Sequence, residues 1–318
     1  MTTTHTAVAG RSHHSVAAIA MIVFATALFA SMDATAKYLG AYVPLVLALL
    51  CRYAVQAGTM AAWIARMQGR RGFRAAHPRF QLLRGALLVA VSALAFYSVQ
   101  LTPLAEFTAI IMLWPILATT AAGWFFGEKV GALRWALVWG GFVGTLIVIR
   151  PGAGLFGWEV VMPLATMVAA TGYNLITSRL AVLDDPYTTQ FYTGVIGTAA
   201  LAPLVLFFFP AAAAQSLQAA PAGLWALLLL LGVFGTVGHL LIVMAFGRAG
   251  TATLMPFTYA QIAFAALLGW LVFRHVPDVW AWLGIALISV CGAATAWLNV
   301  RDAQRAGVPP AALEPAAD

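Results

Sequence analysis

Residues Gly123 to Trp135 read G-W-F-F-G-E-K-V-G-A-L-R-W, and a related stretch returns at Gly269 to Trp282 as G-W-L-V-F-R-H-V-P-D-V-W-A-W. The Gly-Trp pairs and Val130/Val276 align at an offset of 146 residues and Trp135/Trp282 at 147, so one residue is inserted in an otherwise parallel segment. Each copy joins two long apolar runs. A repeat carried on hydrophobic spans points to a carrier assembled from two homologous halves.

The whole composition agrees with that. Of 318 residues, 63% are apolar and only 8% charged, with a mean hydropathy of +0.91, far outside the range of soluble chains. Windows of about 20 apolar residues, enough to cross about 30 Å of hydrocarbon as helix, fall at roughly 16–39, 44–65, 80–100, 103–126, 134–150, 157–178, 187–210, 222–246, 251–273 and 278–299. The predicted fold is an all-α membrane protein of ten transmembrane helices in two inverted five-helix repeats. The expected units are an N-terminal tail (1–15), a first repeat (16–150), a second repeat (157–299) and a C-terminal tail (300–318). An A-F-A-S run near residue 30 imitates a signal-peptidase site. Cleavage there would leave nine spans and break the repeat.

The formal charge of +7 does not require nucleic acid. Of the 17 Lys and Arg residues, 13 fall on one side if the N-terminus is cytoplasmic: Arg11, Arg66, Arg70, Arg71, Arg74, Arg79, Arg84, Lys129, Arg134, Arg179, Arg248, Arg301 and Arg305. That bias is the positive-inside rule, and it places both termini in the cytoplasm. The two cysteines, Cys51 and Cys291, lie in separate spans and read as core thiols. No metal site or cofactor is expected. His5, His13 and His14 in the polar tail make a poor ligand set.

The polar residues within the spans are the functional candidates. Asp33 and Lys37 lie four apart on one helix face and can pair. Asp33 sits about 9 Å from the helix centre at 1.5 Å per residue. A carboxylate at that depth costs about 2.5 kcal/mol or more unless it faces a partner or a wet cavity. Arg52, near the middle of span 2, should point into the bundle and meet either a structural carboxylate, Asp33 or Glu106, or a ligand anion. Tyr97 closes span 3. Glu106 lies near the outer end of span 4, with Trp114-Pro115 at its middle, where proline frees a carbonyl. In the second half the candidates are Tyr173 and Asn174 on span 6, His239 on span 8, and Tyr259 and Gln261 on span 9. His239 suits either an interhelical hydrogen bond or a proton relay. Tyr259 and Gln261 are two apart and point to different faces, so at most one should line a site. Gly140, Gly141 and Gly144 mark span 5 for close helix packing. Asp184-Asp185-Pro186 reads as the N-cap of span 7.

Five spans per half is an odd number, so two copies of one fold must lie upside down relative to each other, the arrangement that alternating access uses. The chain lacks G-x-S-x-G, H-E-x-x-H, Walker and dinucleotide fingerprints, so no enzyme or nucleotide-driven pump is expected.

With these stretches together, the chain resembles the EamA family of the drug/metabolite transporter superfamily over about residues 16–299. The resemblance is carried by S-M-D-A-T-A-K-Y-L, C-R-Y, F-Y-S-V-Q-L-T-P-L-A-E-F-T-A, F-F-G-E-K-V-G-A-L-R-W, R-P-G and M-P-F-T-Y-A-Q. It implies a central cavity lined by the first four helices of each half, with spans 5 and 10 peripheral and available for a homodimer contact. The family usually has Gly-Glu at the ends of its fourth and ninth helices. Gly127-Glu128 matches, while Arg274-His275 departs from it, a change read as a membrane anchor in preference to an anion-affinity feature. The expected function is secondary transport of a small polar organic metabolite across the inner membrane, amino-acid-derived or vitamin-like, such as riboflavin-like or S-adenosylmethionine-like solutes. Its partners are that small-molecule substrate and the lipid bilayer. The alternatives are an exporter of a metabolite, drug or opine-type metallophore, and a non-transporting membrane scaffold or sensor.

Overall fold

The computed structural model describes residues 4–114, 116–117, 132–149, 158–208, 222–249, 254 and 257–305. Among them it contains ten α-helices and no strand: α1 (Thr4–Leu39), α2 (Leu45–Met67), α3 (Pro78–Leu101), α4 (Leu104–Ile111), α5 (Ala132–Ile149), α6 (Val161–Leu180), α7 (Pro186–Phe208), α8 (Ala222–Phe246), α9 (Ala260–Phe273) and α10 (Val279–Arg305). Each corresponds to one of the expected spans. Six of them, α1 from Val16, α2, α3, α6 with the turn before it, α7 and α8, are long and apolar enough to cross a membrane. The protein is an integral membrane protein. Helix α1 begins at Thr4, inside the expected polar tail. Of the first repeat stretch only Ala132 to Trp135 is among the described residues, and Pro115, Glu128 and Lys129 lie outside them.

Local chemistry sets the helix ends. Pro186 opens α7 in the position where a missing N–H costs nothing. Asp185 caps it, its Oδ1 accepting from the N–H of Tyr187 at 2.9 Å and of Thr188 at 3.1 Å. At the C-terminus of α9, the His275 N–H reaches the Gly269 carbonyl and the Arg274 N–H the Trp270 carbonyl, each at 3.1 Å. The Arg274 bond is the 5→1 bond of an αL C-cap, whose left-handed position normally holds glycine. Here it holds Arg274 at φ 55°, the one positive-φ residue other than glycine among the described residues.

Helix α2 packs on α7 and α8; α1 on α8 and α9; α3 on α6 and α7; α4 on α9 and α6; and α5 on α10. Between helices in lipid no water is released, so close approach and buried hydrogen bonds hold them together. The α5–α10 pair shows the first. A Cβ on Gly284 would lie 2.6 Å from the Gly144 carbonyl oxygen, and one on Gly144 would lie 3.0 Å from that of Gly284.

Two ends of the bundle can be told apart by their contacts. At the Leu39 end, Lys37 donates to the Val99 carbonyl and, at 2.9 Å, to the Thr102 carbonyl, while Gln100 donates to the Ala36 carbonyl at 3.0 Å. Lys37 therefore braces the α3–α4 turn and forms no ion pair with Asp33. At the Met67 end, the Ala76 N–H and Gln81 Nε2 each bind Asp184 at 2.8 Å, and Thr188 donates to the Gly72 carbonyl at 2.6 Å. The α2–α3 connection is thus docked on the α6–α7 loop.

Candidate functional site

A cavity of about 120 Å³ lies at mid-bundle. It has room for several waters, each needing roughly 10–15 Å³ on this scale. Its walls come from α1, α2, α3, α4, α6, α8 and α9. Both α4 and α9 are interrupted where they reach it, α4 by a turn at Met112–Leu113 and α9 by one at Tyr259. Met112 within the break in α4 and Trp114 just beyond it, with Thr258 and Gln261 around that in α9, line the space. Irregular backbone at membrane depth is tolerated where it borders a cavity.

Arg52 lines this cavity. It is fully buried, donates from Nη1 to Ser92 Oγ at 2.7 Å, and lies 4.7 Å over the Tyr53 ring and 5.9 Å from that of Phe96. Tyr53 Oη and the same Ser92 Oγ are 2.9 Å apart, so the serine is held from two sides. Among the described residues Arg52 Nε and Nη2 have no partner. These two N–H groups form one edge of the guanidinium, the edge that grips a carboxylate or another two-acceptor group. Gly235 makes room for it: a Cβ there would meet Arg52 Nε at 2.6 Å.

Asp33 shares the cavity wall and is 3% exposed, with Gln261 Nε2 reaching its Oδ2 at a long 3.5 Å. Within the described residues no Asp33–Arg52 ion pair forms, so a mutual structural pair does not consume the two charges. Phe29, Phe96, Phe107 and Trp114 supply flat apolar walls.

Of the residues predicted from sequence, Asp33, Arg52, Trp114, Tyr173, Asn174, His239 and Gln261 line this cavity. Tyr173 Oη and His239 Nδ1 are 3.2 Å apart, and the His239 ring sits 4.7 Å from that of Phe29. Asn174 Nδ2 binds back to the Ala170 carbonyl at 2.9 Å. Tyr259 does not line the cavity; it lies against α10 beside Gly292. Tyr97 is 40% exposed on the outside of α3, one helical step from buried Phe96. Glu106 lies away from the cavity, at the Leu39 end, with its Oε1 3.1 Å from His275 Nε2.

Two residues, one in the cavity wall and one behind it, escaped sequence reasoning. Ser92 is an ordinary small residue in an apolar run, with no local signal. Arg84 was counted with the basic residues at one membrane face, yet it is fully buried and bonded by Nε to Thr177 at 2.9 Å, by Nη1 to Thr193 at 2.5 Å and by Nη2 to Tyr173 Oη at 2.8 Å. Its place at the seventh residue of α3, a turn deeper than Arg79, was the available clue.

Comparison with known proteins agrees with this architecture. Residues 157–296 match the EamA-like transporter family. The riboflavin transporter of Vibrio cholerae is 27% identical over 279 residues, 87% of this chain and 91% of that protein. The pseudopaline exporter CntI of Pseudomonas aeruginosa is 24% identical over 275 residues, 86% of this chain and 93% of its own. A solved crystal structure superposes with a TM-score of 0.64 at 21% identity, covering 89% of this chain and 98% of the other, a likeness of fold. With a family match over residues 157–296 and relatives named as transporters aligned across both halves, the chain is similar to EamA-like transporters.

Proposed function

We propose that this protein is an inner-membrane secondary carrier for a small, flat, polar metabolite of the riboflavin type, bound in the mid-bundle cavity. The observation that carries the reading is the unpartnered Nε–Nη2 edge of Arg52 in a cavity that also holds Asp33 and four aromatic walls. A buried donor pair without a partner is costly, by about 1–3 kcal/mol per group, and a bound solute satisfies it. The resemblance to a named riboflavin transporter supports the substrate class.

Alternating access is the mechanism that fits. Exchanging each helix of the first five for its counterpart in the second five maps the helix pairs onto one another: α1–α8 onto α6–α3, α1–α9 onto α6–α4, and α2–α8 onto α7–α3, with α2–α7, α4–α9 and α5–α10 mapping onto themselves. That pattern supports two repeats, 16–150 and 157–299, and an odd number of spans makes them inverted. The positive-inside bias supports cytoplasmic termini. Rocking of the halves about the cavity would open it to one face and then the other.

Export of a pseudopaline-like solute is the second reading, supported by the exporter relative aligned over a similar share of the chain. Uptake of labelled riboflavin into proteoliposomes separates the readings. Saturable riboflavin uptake supports the first. Its absence, with movement of an opine-type metallophore, supports the second, and no movement of either solute favours a scaffold or sensor.

A further inference from the structure

The hydrogen-bond chain Arg84–Tyr173–His239 has a direction that distances alone do not state but donor counting supplies. Arg84 is only a donor. Its partners Thr177 and Thr193 already give their hydroxyl protons to the carbonyls of Tyr173 at 2.7 Å and Thr189 at 2.9 Å, so they meet Arg84 with lone pairs. Tyr173 Oη likewise accepts from Arg84 Nη2 at 2.8 Å. Its single proton then needs an acceptor, and the side chain is 3% exposed. Its other neighbour is His239 Nδ1, at 3.2 Å. Were His239 Nδ1 to donate instead, the Tyr173 proton would have no acceptor among the described side chains. The guanidinium also polarises the phenol and strengthens it as a donor.

We propose that Arg84, acting through Tyr173, fixes His239 as the neutral tautomer with its proton on Nε2, and that this N–H, with the free Nε–Nη2 edge of Arg52, makes the cavity a donor-lined site for a solute rich in carbonyl or carboxylate acceptors. His239 lines the cavity while Arg84 does not, so Arg84 is a positioning residue. Asp33 is the acidic acceptor in the same wall, so the matching solute edge combines acceptors with a donor, as an imide or a zwitterion does. This rests on the transport reading for its ligand, but the tautomer does not.

The test is ¹⁵N NMR of ring-labelled histidine in the purified full-length protein in lipid nanodiscs. The chain has six histidines, and the His239→Gln variant assigns the signal. The expected spectrum shows a bare Nδ1 and a protonated Nε2 for His239. A protonated Nδ1, or protons on both nitrogens, overturns the proposal with no variant needing to fold. Tyr173→Phe, with folding verified by its melting temperature, is expected to release the tautomer and mix the two forms; an unchanged tautomer overturns the role of the Arg84–Tyr173 chain. Riboflavin is the probe for recognition, and saturating riboflavin is expected to move the Nε2 proton signal. Measured riboflavin binding without that movement overturns the donor role. Failure of the wild type to bind or move riboflavin counts against the proposed substrate, and the tautomer spectrum still decides the Arg84 assignment.

Discussion

Glu106 and His275 meet at 3.1 Å although 169 residues separate them, joining the first turn of α4 to the loop between α9 and α10. The left-handed cap at Arg274 turns the chain so that His275 reaches Glu106. Glu106 is nearly buried, its second oxygen has no partner, and the His275 side chain is 42% exposed. The departure from Gly-Glu at this position thus supplies a partner for a buried carboxyl group, in addition to any contact Arg274 makes with the membrane surface. His275→Ala should lower stability by about 1–3 kcal/mol, because it strips the remaining partner from Glu106. A double-mutant cycle with Glu106→Gln, read by thermal unfolding, should show coupling of at least about 0.5 kcal/mol. Strictly additive effects would contradict the pairing.

Arg274 holds a conformation that glycine adopts freely. Arg274→Gly should therefore raise stability by about 1 kcal/mol, seen as a higher melting temperature in detergent. A lower one would mean that the Arg274 side chain makes a contact worth more than the backbone strain.

Gly235 tests the fit around Arg52. Gly235→Ala should cut solute uptake about tenfold or more at normal membrane expression, since the new methyl would lie 2.6 Å from Arg52 Nε and displacing a binding group by about 1.4 kcal/mol is a tenfold effect. Gly223→Ala on the same helix, where nothing lies within 4 Å, should leave uptake unchanged. Equal effects at the two positions would separate Arg52 from binding.

Tyr97 and Trp114 make a second contrast. Tyr97→Ala, on the outer surface of α3, should leave the KM for the solute unchanged, whereas Trp114→Ala, in the cavity wall, should raise it several-fold through the loss of a flat packing surface. A raised KM for the Tyr97 variant alone would reverse the assignment of faces.

These contrasts show where the sequence was informative. Hydropathy located all ten helices, the Asp185-Pro186 pair located a cap, and depth in the membrane singled out Asp33, Arg52 and His239. Rotation about the helix axis was hidden for α3, because its polar residues Gln81, Arg84, Ser92 and Ser98 face inward while large apolar side chains such as Phe80 and Leu83 face outward; Tyr97 and Phe96 look alike in sequence and differ in burial. Arg84 was hidden by its neighbours, a cluster whose charge bias explains basic residues without burying any of them. The Glu106–His275 contact and the Arg84–Tyr173–His239 chain depend on helices brought together only by packing between the halves, and no local pattern announces either.

The most direct test of the account is riboflavin counterflow in proteoliposomes containing the wild type or Arg52→Gln, matched for inserted protein and for melting temperature. The account predicts saturable counterflow by the wild type and its loss, by about tenfold or more, in the variant, which lacks the guanidinium edge. Wild-type counterflow that persists unchanged in Arg52→Gln would contradict the central place given to Arg52.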